Sequence, residues 1–429
     1  MPDRGGLAAF VASPSLGSRD GDRRARVVLA LVVFSVLLAQ VLLYPGVDRL
    51  VGALGATTDL DASMWFLASE FAAFVLFAGV WGVASDAVGR RMPFIVAGAL
   101  GGALGYVALA VLPGMFAPSF ETVLLLRALQ GAATIGPFSL AMTALMELGG
   151  GHGRNMGAAG IAIGSGTALG APLGGQLYGV GAFVPLWAAA GALLVAAALA
   201  LFVGEPREAT SPTTASDAGR DDARSRDSLR AVLVGLRRSP ALLVPYAFGF
   251  VDRLTAGFFA LVGTLYFRSA FEASPATTGL LLGAFFVPFA LLQYPFGVLS
   301  DRIGRTTPIV AGSALYGVGV VLVGAAPSLS LVAAAMVAVG VLGALMAPAT
   351  MALVTDLAGA EERGVAMAGF NVFGSVGFLV GIVGGGVAAD AFGFGTAFLL
   401  AGGLELLLAL GTLPFLLRLD VGRQALFAR

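Results

Sequence analysis

The chain has no cysteine, and its 25 basic residues are all arginine, with no lysine among them. Without thiols it forms no disulfide and performs no thiol catalysis, although that identifies no compartment. Without lysine it has neither Schiff-base chemistry nor a lysine-dependent phosphate loop. Histidine occurs once, as His152 in GGGHGR. One imidazole makes no metal site without neighbouring ligands, so it reads as a solvated loop residue, and no metal or cofactor is expected. Charge is scarce too: 12% of residues are charged, against about 25% in soluble domains. The 25 acidic residues balance the arginines, leaving no electrostatic pull on nucleic acid.

What is present is apolar. Hydrophobic residues make up 58% of the 429, a further 62 are glycine, and the mean hydropathy is +0.92. That excludes a soluble globular protein and points to an all-α membrane protein solvated by lipid. Twelve apolar stretches stand out, at 27–51, 62–84, 93–112, 121–148, 156–179, 183–203, 241–268, 275–299, 308–326, 328–354, 364–389 and 394–417. Each can cross a bilayer as a helix of about 20 residues. The first 26 residues are polar apart from the short run Leu7 to Val11, too short for a signal-peptide core, so span one reads as an uncleaved anchor.

Arginine placement sets the expected orientation. With a cytoplasmic N-terminus, 21 of the 25 arginines fall inside; Arg49 and Arg268 lie near the outer face, and Arg127 and Arg253 lie within spans. The positive-inside rule therefore puts both termini in the cytoplasm. Trp65, Trp81 and Trp187 fall near span ends, where interfacial anchors belong. The expected organisation is a tail over 1–26, a six-helix bundle over 27–203, a central loop over 204–240, a second bundle over 241–418 and a tail over 419–429. Composition between Glu205 and Asp227 suits a flexible linker. After it, Ser228 can cap a short surface helix with Leu229, Val232, Leu233 and Leu236 on one face.

The two bundles are internally repeated. GVASDAVGRR (Gly82, Asp86, Gly89, Arg90, Arg91) recurs as GVLSDRIGRT (Gly297, Asp301, Gly304, Arg305) at an offset of 215 residues, each copy following the second span of its half. Glycines permit a tight turn, and Asp86 or Asp301 can cap or pair at a helix end. Arg90 or Arg305 can pair with acids at neighbouring span ends: Glu147 in the first half, and Asp356, Glu361 or Glu362 in the second. A second match, Val47-Asp-Arg-Leu with Val251-Asp-Arg-Leu, has an offset of 204 and reads as coincidence.

These loops resemble the signature loop of the major facilitator superfamily of secondary transporters, and the resemblance extends over nearly the whole chain. It implies twelve transmembrane helices in two pseudo-symmetric six-helix bundles, a working unit that is monomeric, and loops that latch the halves in one state of a rocking cycle. The alternative is that the loops serve only to set topology. Span five carries Gly166, Gly170 and Gly174 at four-residue spacing, and span eleven answers with Gly377, Gly381 and Gly385; such spacing lets helix backbones pack closely in lipid. The span-five run, with Pro172 one place late, is similar to the family's antiporter motif. LLLRALQGAA in span four, with Arg127, Gln130 and Gly131, is similar to a motif of its proton-coupled exporters.

Charges inside the hydrocarbon need partners or water. Glu70 and Arg127 lie about nine and seven residues below the outer ends of spans two and four, depths that agree within about 3 Å. The family fold sets those spans side by side, so the two are expected to pair, either as a proton or substrate site or as a structural pin. Asp252 and Arg253 occupy the middle of span seven, pointing about 100° apart; one is expected to line the cavity. Glu405, central in span twelve, is expected to be hydrogen-bonded or protonated. Polar candidates on the cavity-lining helices of the family are Gln40 and Tyr44 in span one, Gln130 in span four, Gln293 and Tyr294 in span eight, and Asn371 in span eleven.

The expected function is proton-coupled export of a small organic or amphiphilic solute by alternating access, with the solute, protons and the lipid bilayer as partners, from the cell (plasma) membrane. Import or uniport on the same fold is the alternative. An intramembrane enzyme or receptor-like protein is the third reading, and the chain lacks the usual catalytic sets.

Overall fold

The structure is a computed structural model that describes residues 16–56, 59–148, 152–202, 236–237, 239–359 and 362–427. The residues before 16, the central loop over 203–235 with Ser228, Leu229, Val232 and Leu233 of its expected surface helix, and Glu361 lie outside the described residues. Among the described residues there is no strand.

Span one is built from Leu16–Val41, a 3-10 turn at Tyr44–Gly46 and Val47–Ala53. Its helix starts ahead of residue 27, so the turns bearing Arg23, Arg24 and Arg26 extend it beyond the apolar run. Spans two to six are Asp59–Val88, Met92–Phe116, Phe120–Glu147, His152–Val180 and Val184–Leu201. Span seven combines Leu243–Phe258, a π-helical turn at Phe259–Gly263 and Thr264–Ala270. Spans eight to ten are Pro275–Ile303, Thr306–Ala325 and Leu329–Leu357. Ser119, Ser274 and Ser328 cap spans four, eight and ten by accepting from the backbone N–H three residues on.

The remaining helix, Arg363–Phe427, is 65 residues long and is interrupted at Gly393 (φ 80°, ψ 163°). Unbroken, it would reach about 100 Å, roughly three times the hydrocarbon thickness. It is therefore two spans, eleven and twelve, turned back at a backbone conformation that is essentially restricted to glycine. That makes twelve spans among the described residues, in two six-helix bundles.

The halves repeat one packing plan. In each, the first span lies on the fifth, the second on the fourth, and the third on the fourth and sixth. Lipid supplies no hydrophobic drive between helices, so close approach at small residues holds them together. A Cβ on Gly166 or Gly170 would meet Phe34 O or Val41 at 2.9 Å, and one on Gly174 would strike the Leu42 carbonyl. In the second half, Gly377 and Gly381 of span eleven sit on the Phe250 and Leu254 carbonyls of span seven, and Gly385 on the Phe258 ring. The 215-residue offset also takes Tyr44 to Phe259, so the irregular turns of spans one and seven are equivalent. Asp48 follows the first of those turns whereas Asp252 precedes the second, which makes the Val-Asp-Arg-Leu match non-equivalent in three dimensions.

Trp65 and Trp187 are half exposed, as interfacial residues are, but Trp81 differs from its expected place. Its Nε1–H donates to Ala132 O at 2.6 Å, and its ring lies where a Cβ on Gly136 would be.

Candidate functional site

The halves meet through spans five and eight on one side and spans two and eleven on the other. The named contacts run from mid-membrane to the face opposite the termini. Gly175 and Gly279 leave no room for a Cβ beside Pro275 O and Ala171 O, and Met64 fills the space before Gly386. Phe71 stacks on Phe378 with centroids 4.2 Å apart. At the far face, Arg268 Nε donates to Asp48 Oδ2 at 2.5 Å, joining span seven to span one across the halves, and Arg268 Nη1 also reaches Ala273 O at 3.2 Å. Toward the face that carries the termini, the same four spans expose Leu76 and Phe77, Ile161, Leu291 and Tyr294, and Val372 and Val376. Among the described residues, the molecule is closed at one face and shows no named contact between the halves at the other.

Toward that face, the named ion pairs among the described residues each join groups of one half. Arg91 binds Glu147 and lies 3.5 Å from Asp86; Arg305 binds Asp301 at 2.6 Å and Asp356 at 3.2 Å. The expected cation in the first half was Arg90, by analogy with Arg305. The structure corrects that to Arg91, because in each half the arginine directly before span three or nine makes the pairs, and span three starts one residue later in the motif. Gly82 and Gly297 lie within the ends of spans two and eight. Gly89 (φ 68°) and Gly304 (φ 89°) both turn through positive φ.

Deep in the first half, four spans converge on one charged cluster. Arg127 Nη2 donates to Glu70 Oε2 at 2.5 Å and Arg127 Nη1 to Gln130 Oε1 at 2.5 Å, while Gln130 Nε2 donates to Thr134 Oγ1 at 2.7 Å. The guanidinium lies 4.7 Å from the Phe66 ring and 5.4 Å from the Tyr106 ring. Gly131 lets spans two and four approach, with only 2.8 Å between its Cβ position and Glu70 O. Gln40 and Tyr44 of span one are buried beside the pair. Among the described residues, Gln40 Nε2, Glu70 Oε1, Tyr106 Oη and Arg127 Nε meet no hydrogen-bond partner. The pair is thus sealed from water and surrounded by spare donors and acceptors, so changing its charge would strain spans one to four together.

In the second half, Asp252 is 21% exposed and Arg253 52%, with Nε 4.0 Å from Oδ2. Gln293 is half-buried, Asn371 is exposed, and Tyr294 is 82% exposed. These residues do not gather on the Glu70–Arg127 cluster; Asp252 and Arg253 stand on span seven, and Gln293, Tyr294 and Asn371 on spans eight and eleven, which are exposed toward the terminal face. Sequence reasoning missed Tyr106, Thr134 and the Asp48–Arg268 contact. The available signal was Arg268 itself, one of two arginines at the outer face.

Comparison with known proteins gives the same architecture. The description Major Facilitator Superfamily matches residues 29–267 and 246–427. The tetracycline resistance protein, class G, of Vibrio anguillarum is 29% identical over 279 residues, 64% of this chain and 65% of that protein; the other relatives compared are matched over less of their length. In solved structures, a bacterial homologue of the human lysosomal transporter Spinster, inward-facing and unoccupied, superposes with a TM-score of 0.71 at 14% identity, over 91% of this chain and 94% of that one. A D-xylose–proton symporter gives 0.67 at 16%, over 91% and 96%. At those identities the likeness is one of fold.

Proposed function

This chain belongs to the Major Facilitator Superfamily, and from that premise we propose that it is a secondary active transporter that exports a small organic or amphiphilic solute in exchange for protons. The observation that carries the reading is the pair of six-helix halves, joined at one face and parted at the other, which is the geometry alternating access requires. Arginine placement makes the parted face cytoplasmic, so the conformation corresponds to an inward-open state in the plasma membrane, with both termini inside and one chain as the working unit.

A solute enters between spans two, five, eight and eleven, where apolar side chains alternate with Gln293, Tyr294 and Asn371. That lining suits an amphiphile better than a sugar. Asp252, partly exposed beside Arg253, is placed to take up a proton in competition with solute. Glu70 and Arg127 respond from within the first half. A proton on Glu70 removes one side of the pair, frees Arg127 and loosens the contact between spans two and four at Gly131. Efflux is favoured over import by the span-four and span-five motifs together with the named tetracycline resistance relative.

Purified protein in liposomes with an imposed pH gradient tests this, with tetracycline and a lipophilic cationic dye as probes. The expected result is probe movement against the proton flux that stops with a protonophore. Movement of every probe with the protons, or flux indifferent to the gradient, overturns the export reading in favour of import or uniport.

A further inference from the structure

Glu405 is fully buried in span twelve with no arginine within ion-pair distance among the described residues. One oxygen, Oε2, accepts from Ser313 Oγ of span nine at 2.6 Å; the other, Oε1, has no hydrogen-bond partner among the described residues. One turn further along span nine, the buried Tyr316 Oη is also without a partner. Tyr316 lies within electrostatic range of both Glu405 and Asp252. Thr255, one turn from Asp252 on span seven, is buried beside Glu405, and its hydroxyl donates to Val251 O at 3.1 Å. Gly317 brings spans nine and twelve together, with 3.0 Å between its Cβ position and Glu405 Cβ. The titratable groups facing Glu405 are therefore Asp252 from span seven and Tyr316 from span nine. Beside Asp252, Arg253 stands 4.0 Å away and is half exposed.

An uncompensated carboxylate in such a place is far more costly than a neutral carboxyl, which needs only hydrogen-bond partners. Glu405 Oε1, which meets no hydrogen-bond partner among the described residues, is the oxygen on which the carboxyl proton sits.

We propose that Glu405 stores a proton inside the second half and that Asp252, its partly exposed neighbour, is the port through which that proton is exchanged. A proton from water binds an Asp252 oxygen, then moves to Glu405 Oε1, leaving Asp252 a carboxylate again; the reverse path releases it. Nothing else is transferred. This adds to the exporter reading a second proton-holding group away from the solute path, and it rests on that reading only for its use in transport.

Infrared difference spectroscopy of the full-length protein in lipid tests it, read at the carbonyl stretch of neutral carboxyl groups. The wild type is expected to show a band at neutral pH that Glu405→Gln removes and Glu405→Asp restores at a shifted frequency. In Asp252→Asn the band is expected to persist, with the pH at which it disappears displaced. Glutamine can still accept from Ser313, so the melting temperature of Glu405→Gln verifies that the variant is folded. Absence of a band attributable to Glu405, including its replacement by sodium-dependent stabilisation, overturns the proposal, as does a titration unaffected by Asp252→Asn. A band without gradient-driven flux overturns the exporter reading alone, and flux without the band overturns the storage role alone.

Discussion

Substituting Asp48 by Asn removes the charge that ties span one to span seven at the closed face. Asp48 and Arg268 are 16% and 15% exposed, and Nε and Oδ2 are 2.5 Å apart. That burial lies between exposed pairs, worth about 0.2–1 kcal/mol, and buried pairs, whose breakage costs about 3–5 kcal/mol. A loss of about 1–3 kcal/mol confined to the closed state raises the population of the alternative state about 5- to 150-fold. The chain has no cysteine, so a single introduced thiol is a clean reporter. Met64→Cys is suited to this, because Met64 is buried against Gly386 between the halves. Its alkylation by a membrane-impermeant maleimide should accelerate by that factor when Asp48→Asn is added. Exchanging the charges, Asp48→Arg with Arg268→Asp, should slow it again. An alkylation rate unchanged by Asp48→Asn would refute the argument that this pair holds the face shut.

The buried pair of the first half makes a stability prediction: Arg127→Met leaves Glu70 without its cation and should cost about 3–5 kcal/mol, much of which Glu70→Gln with Arg127→Gln recovers; equal melting temperatures for the single and double variants would count against it. At the loop between spans two and three, Arg91→Ala should lower thermal stability more than Arg90→Ala, by about 0.2–1 kcal/mol and with a strong salt dependence, because Arg91 holds Asp86 and Glu147. Gly381→Val must displace the Leu254 backbone and should cost about 1–3 kcal/mol or prevent folding. Gly411→Ala, which meets nothing within 4 Å, should be neutral or slightly stabilising. In liposomes, Asp252→Asn should abolish the response of flux to the pH gradient; unchanged coupling would remove Asp252 from the proton path.

Some of the candidate site was legible because helical rise converts sequence position into depth. Glu70 and Arg127 lie at matched depths on spans two and four, and they meet. Depth says nothing about rotation around the helix, so Tyr106, whose ring lies beside the same guanidinium, was not identified. The repeat aligned Arg90 with Arg305, yet the pairing falls to Arg91, because where span three begins is decided by packing and not by the motif. Asp48 and Arg268 are 220 residues apart, in different halves. Only the closed state of the assembly makes them neighbours.

The amino-acid sequence by itself determined the solvent, the number of spans and the duplication. Each follows from quantities that add along the chain: apolar content, run length, and the recurrence of GVxSDxxGR. It also marked the glycine faces, since four-residue spacing lies on one side of a helix whatever that side touches. The tertiary structure alone decided which face is shut, which arginine makes the ion pairs before spans three and nine, and that Glu405 is hydrogen-bonded to Ser313 with no counter-charge among the described residues. The reason is physical: a buried charge depends on what other spans bring to within a few ångströms, and those neighbours come from distant segments whose rotation and tilt are set by all the contacts together.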